Sequence, residues 1–258
     1  MEPDQVPPEL CSISRHTAGE KNVVAELAKL FEASSVPLPL RLHNFARHTR
    51  RQDIARFLAK YELFKIAQLA NGSIVECGVY VGGGLTSWVH FSSIIEPYNH
   101  TRRIIGFDTF SGFPSTHVMD TDRGTSEFLH IGGLSVNDQA KAELESLLKV
   151  HDLNRPIGHI PKAQLVAGDA CQTIPQFVEQ TPHLLISLLY LDFDLYEPTK
   201  VALEHLYPRV VKGGVVAFDE LNCPEFPGET KALTDAFDLA GVELRRFAID
   251  PYISYFVK

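Results

Sequence analysis

The chain has 258 residues, 45% apolar and 22% charged, with a formal net charge of −8. This length allows one large α/β domain or two small ones, and the acidic balance argues against nucleic-acid or anionic-membrane partners, which favour basic faces. No apolar run approaches the roughly 18 residues that span a bilayer, and the acidic, Pro-rich start MEPDQVPPEL is no signal peptide.

Taken in order, residues 1 to about 22 read as a mobile tail, and Val23 to Ala33 as a short helix. SSVPLPL breaks that helix, because proline disfavours helix at its own and the preceding position. RLHNFARHTRRQ then gathers Arg41, Arg47, Arg50 and Arg51, which either grip a carboxylate or phosphate or form a solvated helical face. From Asp53 the spacing of Ile54, Phe57, Leu58, Tyr61 and Phe64 predicts an amphipathic helix. Residues 1–70 thus form a tail and helical extension, and 71–258 an α/β domain.

From Asn71 the pattern repeats strand, turn, helix. Strands are expected at Ser73 to Val79, RRIIGFD, AQLVAGD, Leu184 to Leu191 and VKGGVVAFDE. The helices between them are Thr86 to Ile95, one starting at Ser135 with Asp138 as a weak capping box, Thr173 to Gln180, and Pro198 to Leu206. The second helix carries an apolar stripe of Ala140, Leu144, Leu147 and Leu148. Gly228 to Leu239 is a further helix. VELRRFAID and ISYFVK close the chain as an antiparallel hairpin at one sheet edge. Alternating strands and helices imply a doubly wound, mostly parallel sheet. Thr109 to Gly133 lacks periodicity, so it is either a functional lid or a disordered loop.

The chemistry concentrates where strands end. Leu184 to Leu191 is apolar except for Ser187 and runs into Asp192 and Asp194, separated by Phe193. Such a strand is buried on both faces, with its carboxyl end opening into a site. Two acids there are costly unless a metal, a proton or a substrate cation meets them. If the strand carrying Asp219 and Glu220 lies alongside, four carboxylates crowd one space. An all-oxygen set of that kind suits Mg²⁺, Mn²⁺ or Ca²⁺; the competing reading is helix capping or pairing with Lys212 or Arg209. Residues i and i+2 share a strand face, so Asp192 and Asp194 reach the same space.

After the first strand stands Glu76-Cys-Gly78-Val-Tyr-Val-Gly82-Gly83-Gly84. It is neither GxGxxG nor a Walker A loop, which counts against an NAD-dependent oxidoreductase. An acid followed by glycines suits a ligand with a cationic amino-acid end, which Glu76 neutralises; the competing reading is a glycine-rich βα turn without a ligand, against which an acid in an apolar strand weighs. Asp108, closing the second strand, is placed to accept from ribose hydroxyls or to cap a helix. Asp169, closing the third, either accepts from an adenine amino group or N-caps the next helix. The four cysteines (Cys11, Cys77, Cys171, Cys223) form no CxxC pair and read as free thiols of a cytoplasmic protein. The eleven histidines show no zinc-binding spacing.

ECGVYVGGG, GFDTFSGFP, LDFDLYEPT and the FDE motif together resemble the macrocin O-methyltransferase family, over about residues 70 to 240. The resemblance implies a class I methyltransferase (Rossmann-like) fold, with a seven-stranded sheet and an antiparallel last strand. It also implies S-adenosylmethionine and Mg²⁺ as cofactors, and a sugar or glycosylated natural product as the hydroxylated acceptor. By that resemblance Glu76 and Gly78 sit at the methionine end of the cofactor, Asp108 at the ribose and Asp169 near the adenine. Gly82, Gly83, Thr86, Thr109, Ser111, Ala170 and Asp192 complete the cofactor set. Asp192, Asp219 and Glu220 fall where the family binds Mg²⁺, and Asp194 where it has its general base. The family usually writes glycine where Phe193 stands, and a second aspartate where Glu220 stands. The lid, with His130, Asp120, Asp122 and Arg123, and the N-terminal helices would cover the acceptor. A catechol-like or diol acceptor, and a non-catalytic cofactor-binding scaffold, stay open as alternatives, as does a homodimer.

Overall fold

The computed structural model describes residues 18–122, 124–137 and 139–258. The expected tail up to residue 17, the capping role of Asp138 and the lid role of Arg123 lie outside them. The chain divides into two units, one ending at Leu58 and one running from Ala59 to Lys258.

In the first unit the tail gives way early, because α1 (Ala18–Glu32) begins five residues before the anticipated helix. SSVPLPL does break α1, yet its PLPL half opens a second helix, α2 (Leu38–His43). Proline is tolerated in a first turn, where its missing N–H has no partner to lose. A 3₁₀ turn (Phe45–Arg47) leads to α3 (Arg51–Ala67), which starts two residues before Asp53.

The second unit holds a seven-stranded sheet in the order β3-β2-β1-β4-β5-β7-β6. The strands are β1 (Ser73–Cys77), β2 (Ile104–Asp108), β3 (Ala163–Ala167), β4 (Ile186–Leu191), β5 (Val210–Phe218), β6 (Arg245–Arg246) and β7 (Ser254–Val257). β1 to β5 are parallel, and β7 runs antiparallel to both β5 and β6. The expected hairpin is therefore present, with β7 inserted between β5 and the edge strand.

The connecting helices are α4 (Gly83–Ile95), α5 (Val118–Thr121), α6 (Ala140–Leu153), α7 (Ala170–Gln180), α8 (Tyr196–His205) and α9 (Gly228–Ala236). α6 begins five residues after Ser135, and only Leu144 and Leu148 of its expected stripe are buried. Along α3 the buried side chains are Ala59, Lys60, Leu63, Phe64 and Ala67, so the face shifts from the stripe predicted between Ile54 and Phe64.

The sheet separates two apolar layers. Val75, Cys77, Leu189, Leu191 and Val216 pack with α7, α8 and α9 on one face. Ile74, Leu188, Tyr190 and Val215 pack with the second-unit part of α3, α4 and α6 on the other. β4 is buried at every position, Ser187 included, as a run apolar at every other residue predicted. Each fully buried Leu or Ile in it contributes about 2 kcal/mol.

Thr109 to Gly133 is neither structureless nor loose over its described residues. Phe110 and Phe113 are buried, and Phe113 exchanges backbone hydrogen bonds with Gly132 and Gly133. The wholly buried Asp120 accepts from the backbone N–H of His117 (2.8 Å) and of Tyr196 (2.7 Å). The segment is therefore fastened to the start of α8.

Candidate active site

The strand order reverses between β1 and β4, and in such sheets ligands bind in the crevice at that switch point. Gly78 (φ +93°) sits there, and an added Cβ would fall 1.8 Å from the backbone oxygen of Asp192. Only glycine allows the loops after β1 and β4 to close this tightly. Strain gathers along the same edge. Tyr80, Phe110, Asp194 and Asn222 all have positive φ, one each in the loops following β1, β2, β4 and β5. Non-glycine residues held this way cost about 1–3 kcal/mol each and cluster at functional sites.

Asp108 binds the loop after β1. Its Oδ2 accepts from the N–H of Val79 (2.7 Å) and Tyr80 (2.8 Å), and its Oδ1 from Phe110 (2.6 Å). A carboxylate has about four lone-pair directions, so this leaves room for one ribose hydroxyl rather than two. Gly82 (φ +90°) caps α4, and the space beside Gly83 is open. The Thr86 hydroxyl turns back to the Gly82 carbonyl, and that of Thr109 to Gly112. Ser111 is exposed. Asp169 N-caps α7 through the N–H of Cys171 (2.9 Å), the second of its two anticipated roles, and Ala170 is buried as the first residue of that helix.

Glu76 is not presented at the open loop. It is 1% exposed and lies 3.0 Å from the Lys60 ammonium, which sits 4.2 Å from the Tyr190 ring centroid. Burial raises the Glu76 carboxyl and the Lys60 charge opposes that rise. The pair lies directly beneath α4, where a Cβ on Gly84 would come within 1.9 Å of Glu76 Oε1.

The strands that carry the acids, β4 and β5, are neighbours. Leu191 pairs in register with Phe218, so Asp192 and Asp219 leave adjacent strands at one level. Tyr190 donates its hydroxyl to Asp219. Burial pushes Asp194 well above the usual carboxylate range, and the charges of Glu220, Asp192, Glu229 and Asp219 push it further. Among the described residues, no three carboxylate, imidazole or thiol side chains stand close enough to hold a metal ion as placed. The donor set itself suits a hard cation: all oxygen, and borne on two adjacent strand ends.

The macrocin O-methyltransferase (TylF) family profile covers residues 49–258. The chain belongs to that family. It is 33% identical to the calicheamicin methyltransferase CalS11, with 96% of each chain covered and a TM-score of 0.91. A second, apo structure, described as the TDP-rhamnose 3′-O-methyltransferase CalS11 of calicheamicin biosynthesis, gives 30% identity, 95% and 97% coverage and a TM-score of 0.82. A tetracenomycin-C rhamnosyl 4′-O-methyltransferase from Streptomyces olivaceus is 30% identical over 161 residues, 60% of this chain. That alignment spans 55% of the relative's length. The O-methyltransferase NovP, at 21% identity, 80% coverage of both chains and a TM-score of 0.60, shares the fold.

Against that family frame, sequence reasoning missed three side chains. Lys60 stands four residues before Phe64 and so shares its buried face; that spacing was the available signal. Tyr190 was read only as part of an apolar run. Glu229 falls in the first turn of a helix, where acids are common, yet it is wholly buried and touches both acidic loops. The basic cluster of the first unit is partly spent on structure. Arg41 donates to the Phe31 carbonyl and lies 4.7 Å from its ring centroid, and Arg50 pairs with Asp53 at 2.6 Å. Of the anticipated lid contacts, Asp120 is committed to its own fastening, and His130 turns an exposed ring nitrogen to the Ile131 carbonyl.

Proposed function

We propose that this chain is an S-adenosylmethionine- and Mg²⁺-dependent O-methyltransferase acting on a sugar hydroxyl of a natural product or of its nucleotide-linked precursor. The observation that carries this reading is the buried Asp194 set among Asp192, Asp219 and Glu220 at the switch-point edge. Two relatives at 30% identity bear names specifying rhamnose methylation, which supports a rhamnose-like acceptor.

When bound, S-adenosylmethionine supplies a methyl group on a positively charged sulfur, and Mg²⁺ lowers the pKa of an acceptor hydroxyl. Asp192, Asp219 and Glu220 would hold the metal after side-chain rotation. The Tyr190 hydroxyl orients one oxygen of Asp219. Asp194 takes the hydroxyl proton onto its carboxylate. Gly78 lets the ligand approach the backbone, while Asp108 fixes the loop amides and keeps one acceptor direction for the ribose. Glu76 acts from below, tying β1 to α3 through its pairing with Lys60 beneath Gly84 of α4. The free thiols among the described residues, Cys77, Cys171 and Cys223, support a cytoplasmic setting.

The test is calorimetric titration with S-adenosylhomocysteine and then Mg²⁺, followed by methyl transfer to TDP-rhamnose and to rhamnosylated aglycones. Expected are cofactor binding, Mg²⁺ binding and transfer abolished by chelator. Transfer that is indifferent to chelator removes the metal from the reading. Full transfer by Asp194→Ala removes the base.

A further inference from the structure

Glu229 is the second residue of α9 and is wholly buried. Its Oε1 accepts from the backbone N–H of Phe193 (3.1 Å) and Asp194 (3.3 Å), and its Oε2 from that of Glu220 (3.3 Å). One side chain thus bonds the loop after β4 and the loop after β5, each of which carries acids of the candidate site. The preceding residue explains how it gets there. A Cβ on Gly228 would lie 2.4 Å from the Tyr196 N–H and 2.7 Å from the Leu195 carbonyl carbon. Glycine lets the first turn of α9 press against the end of the β4 loop, and Glu229 then points between the two loops.

The placement is expensive for the fold. A buried carboxylate beside Asp192, Asp219 and Glu220 adds like-charge repulsion to its own desolvation. Fold stability alone gives no reason for a charge here. The three N–H groups give one, because only a carboxylate offers two acceptor oxygens and no donor. They include the amide of Asp194, whose φ of +62° needs outside support.

We infer that Glu229 is a positioning residue, a clamp that fixes the Asp194 loop against the Glu220 loop and so sets the distance from the base to the metal-holding acids. The role in catalysis rests on the proposed function; the clamp itself does not.

Glu229→Gln and Glu229→Ala separate the two. Glutamine keeps the volume and one acceptor oxygen, but turns an amide N–H₂ on one of the loops. The first readout, amide hydrogen exchange at Phe193, Asp194 and Glu220 in the ligand-free chain, needs no activity. Exchange is expected to rise at least tenfold in both variants, with thermal stability of Glu229→Gln unchanged or higher. The second readout is Mg²⁺ affinity and kcat, each expected to fall about 10–100-fold, as for outer-shell partners of metal ligands. KM for S-adenosylmethionine should hold, and Glu229→Asp should recover part of the loss. Unchanged exchange in Glu229→Gln overturns the clamp. Raised exchange with unchanged Mg²⁺ affinity and kcat overturns its positioning role. If the parent protein neither binds Mg²⁺ nor transfers methyl, the proposed function fails and exchange still decides the clamp.

Discussion

Two buried groups of charge lie along the same strands and are handled in opposite ways. Beneath α4, Glu76 is matched by Lys60 at 3.0 Å, with Trp88 and Tyr190 rings around the ammonium. At the ends of β4 and β5, Asp194 is surrounded by acids whose charges all push its carboxyl in the same direction as burial does. The first group is closed in that its acid is paired with a cation. The second is open in that the neighbouring charges acting on Asp194 are all negative. Tyr190 touches both, its ring against Lys60 and its hydroxyl on Asp219.

The contrast is broken most forcefully from the closed side. Lys60→Met leaves Glu76 buried without its cation and should cost about 3–5 kcal/mol in denaturant unfolding, because a buried pair broken on one side leaves an uncompensated charge. The double variant with Glu76→Gln should recover most of that loss. A neutral Lys60→Met would show that buried Glu76 does not depend on this cation. On the open side the sign inverts. Asp194→Asn removes one of several like charges, so the melting temperature should hold or rise, while methyl transfer falls about 10²–10⁴-fold. A drop in stability would place Asp194 with the closed group.

Tyr190→Phe sharpens the comparison at its shared residue. The ring over Lys60 remains, and the bond to Asp219 is lost. Unfolding should show a loss of about 1.5–3 kcal/mol, with Mg²⁺ affinity lowered and Lys60→Met no more harmful than before.

Lys162 is a third, smaller case: a buried cation whose ammonium donates to the Asn99 carbonyl at 2.7 Å. Burial lowers it to about 8, against a contrary pull from Glu96. Because the folded value lies below the unfolded one, the unfolded state binds more protons between about pH 8 and 10.5, and stability rises with pH across that window. The penalty is present in full below pH 8. Lys162→Met should therefore gain on the parent protein at pH 7, and the gain should shrink toward pH 10, as read from paired melting curves. A gap that does not change with pH would show that the ammonium carries no burial penalty.

Much of the site was legible because strand ends announce themselves. An apolar run stopping at Asp192 and a second stopping at Asp219 predict two buried strands with acids at one edge. Their adjacency, however, depends on strand order, and no local pattern supplies that order. Glu229 was invisible for the same reason. An acid at a helix start is ordinary until the helix is seen to lie across two loops. The fastening role of Asp120 and the pairing role of Lys60 do not show in the segments around them, an aperiodic stretch and an amphipathic stripe whose true face is shifted.

The sequence by itself determined the alternation of strands and helices, the family, and the acids and glycines at the carboxyl edge, because these rest on periodicity and on residue chemistry at fixed spacing. Only the tertiary structure decided which charges meet. It matched Glu76 to Lys60, brought Asp194 among acids and set Glu229 across both loops. Partners in a buried charge cluster are chosen by packing between segments far apart in the chain, and burial then fixes how strongly each one counts.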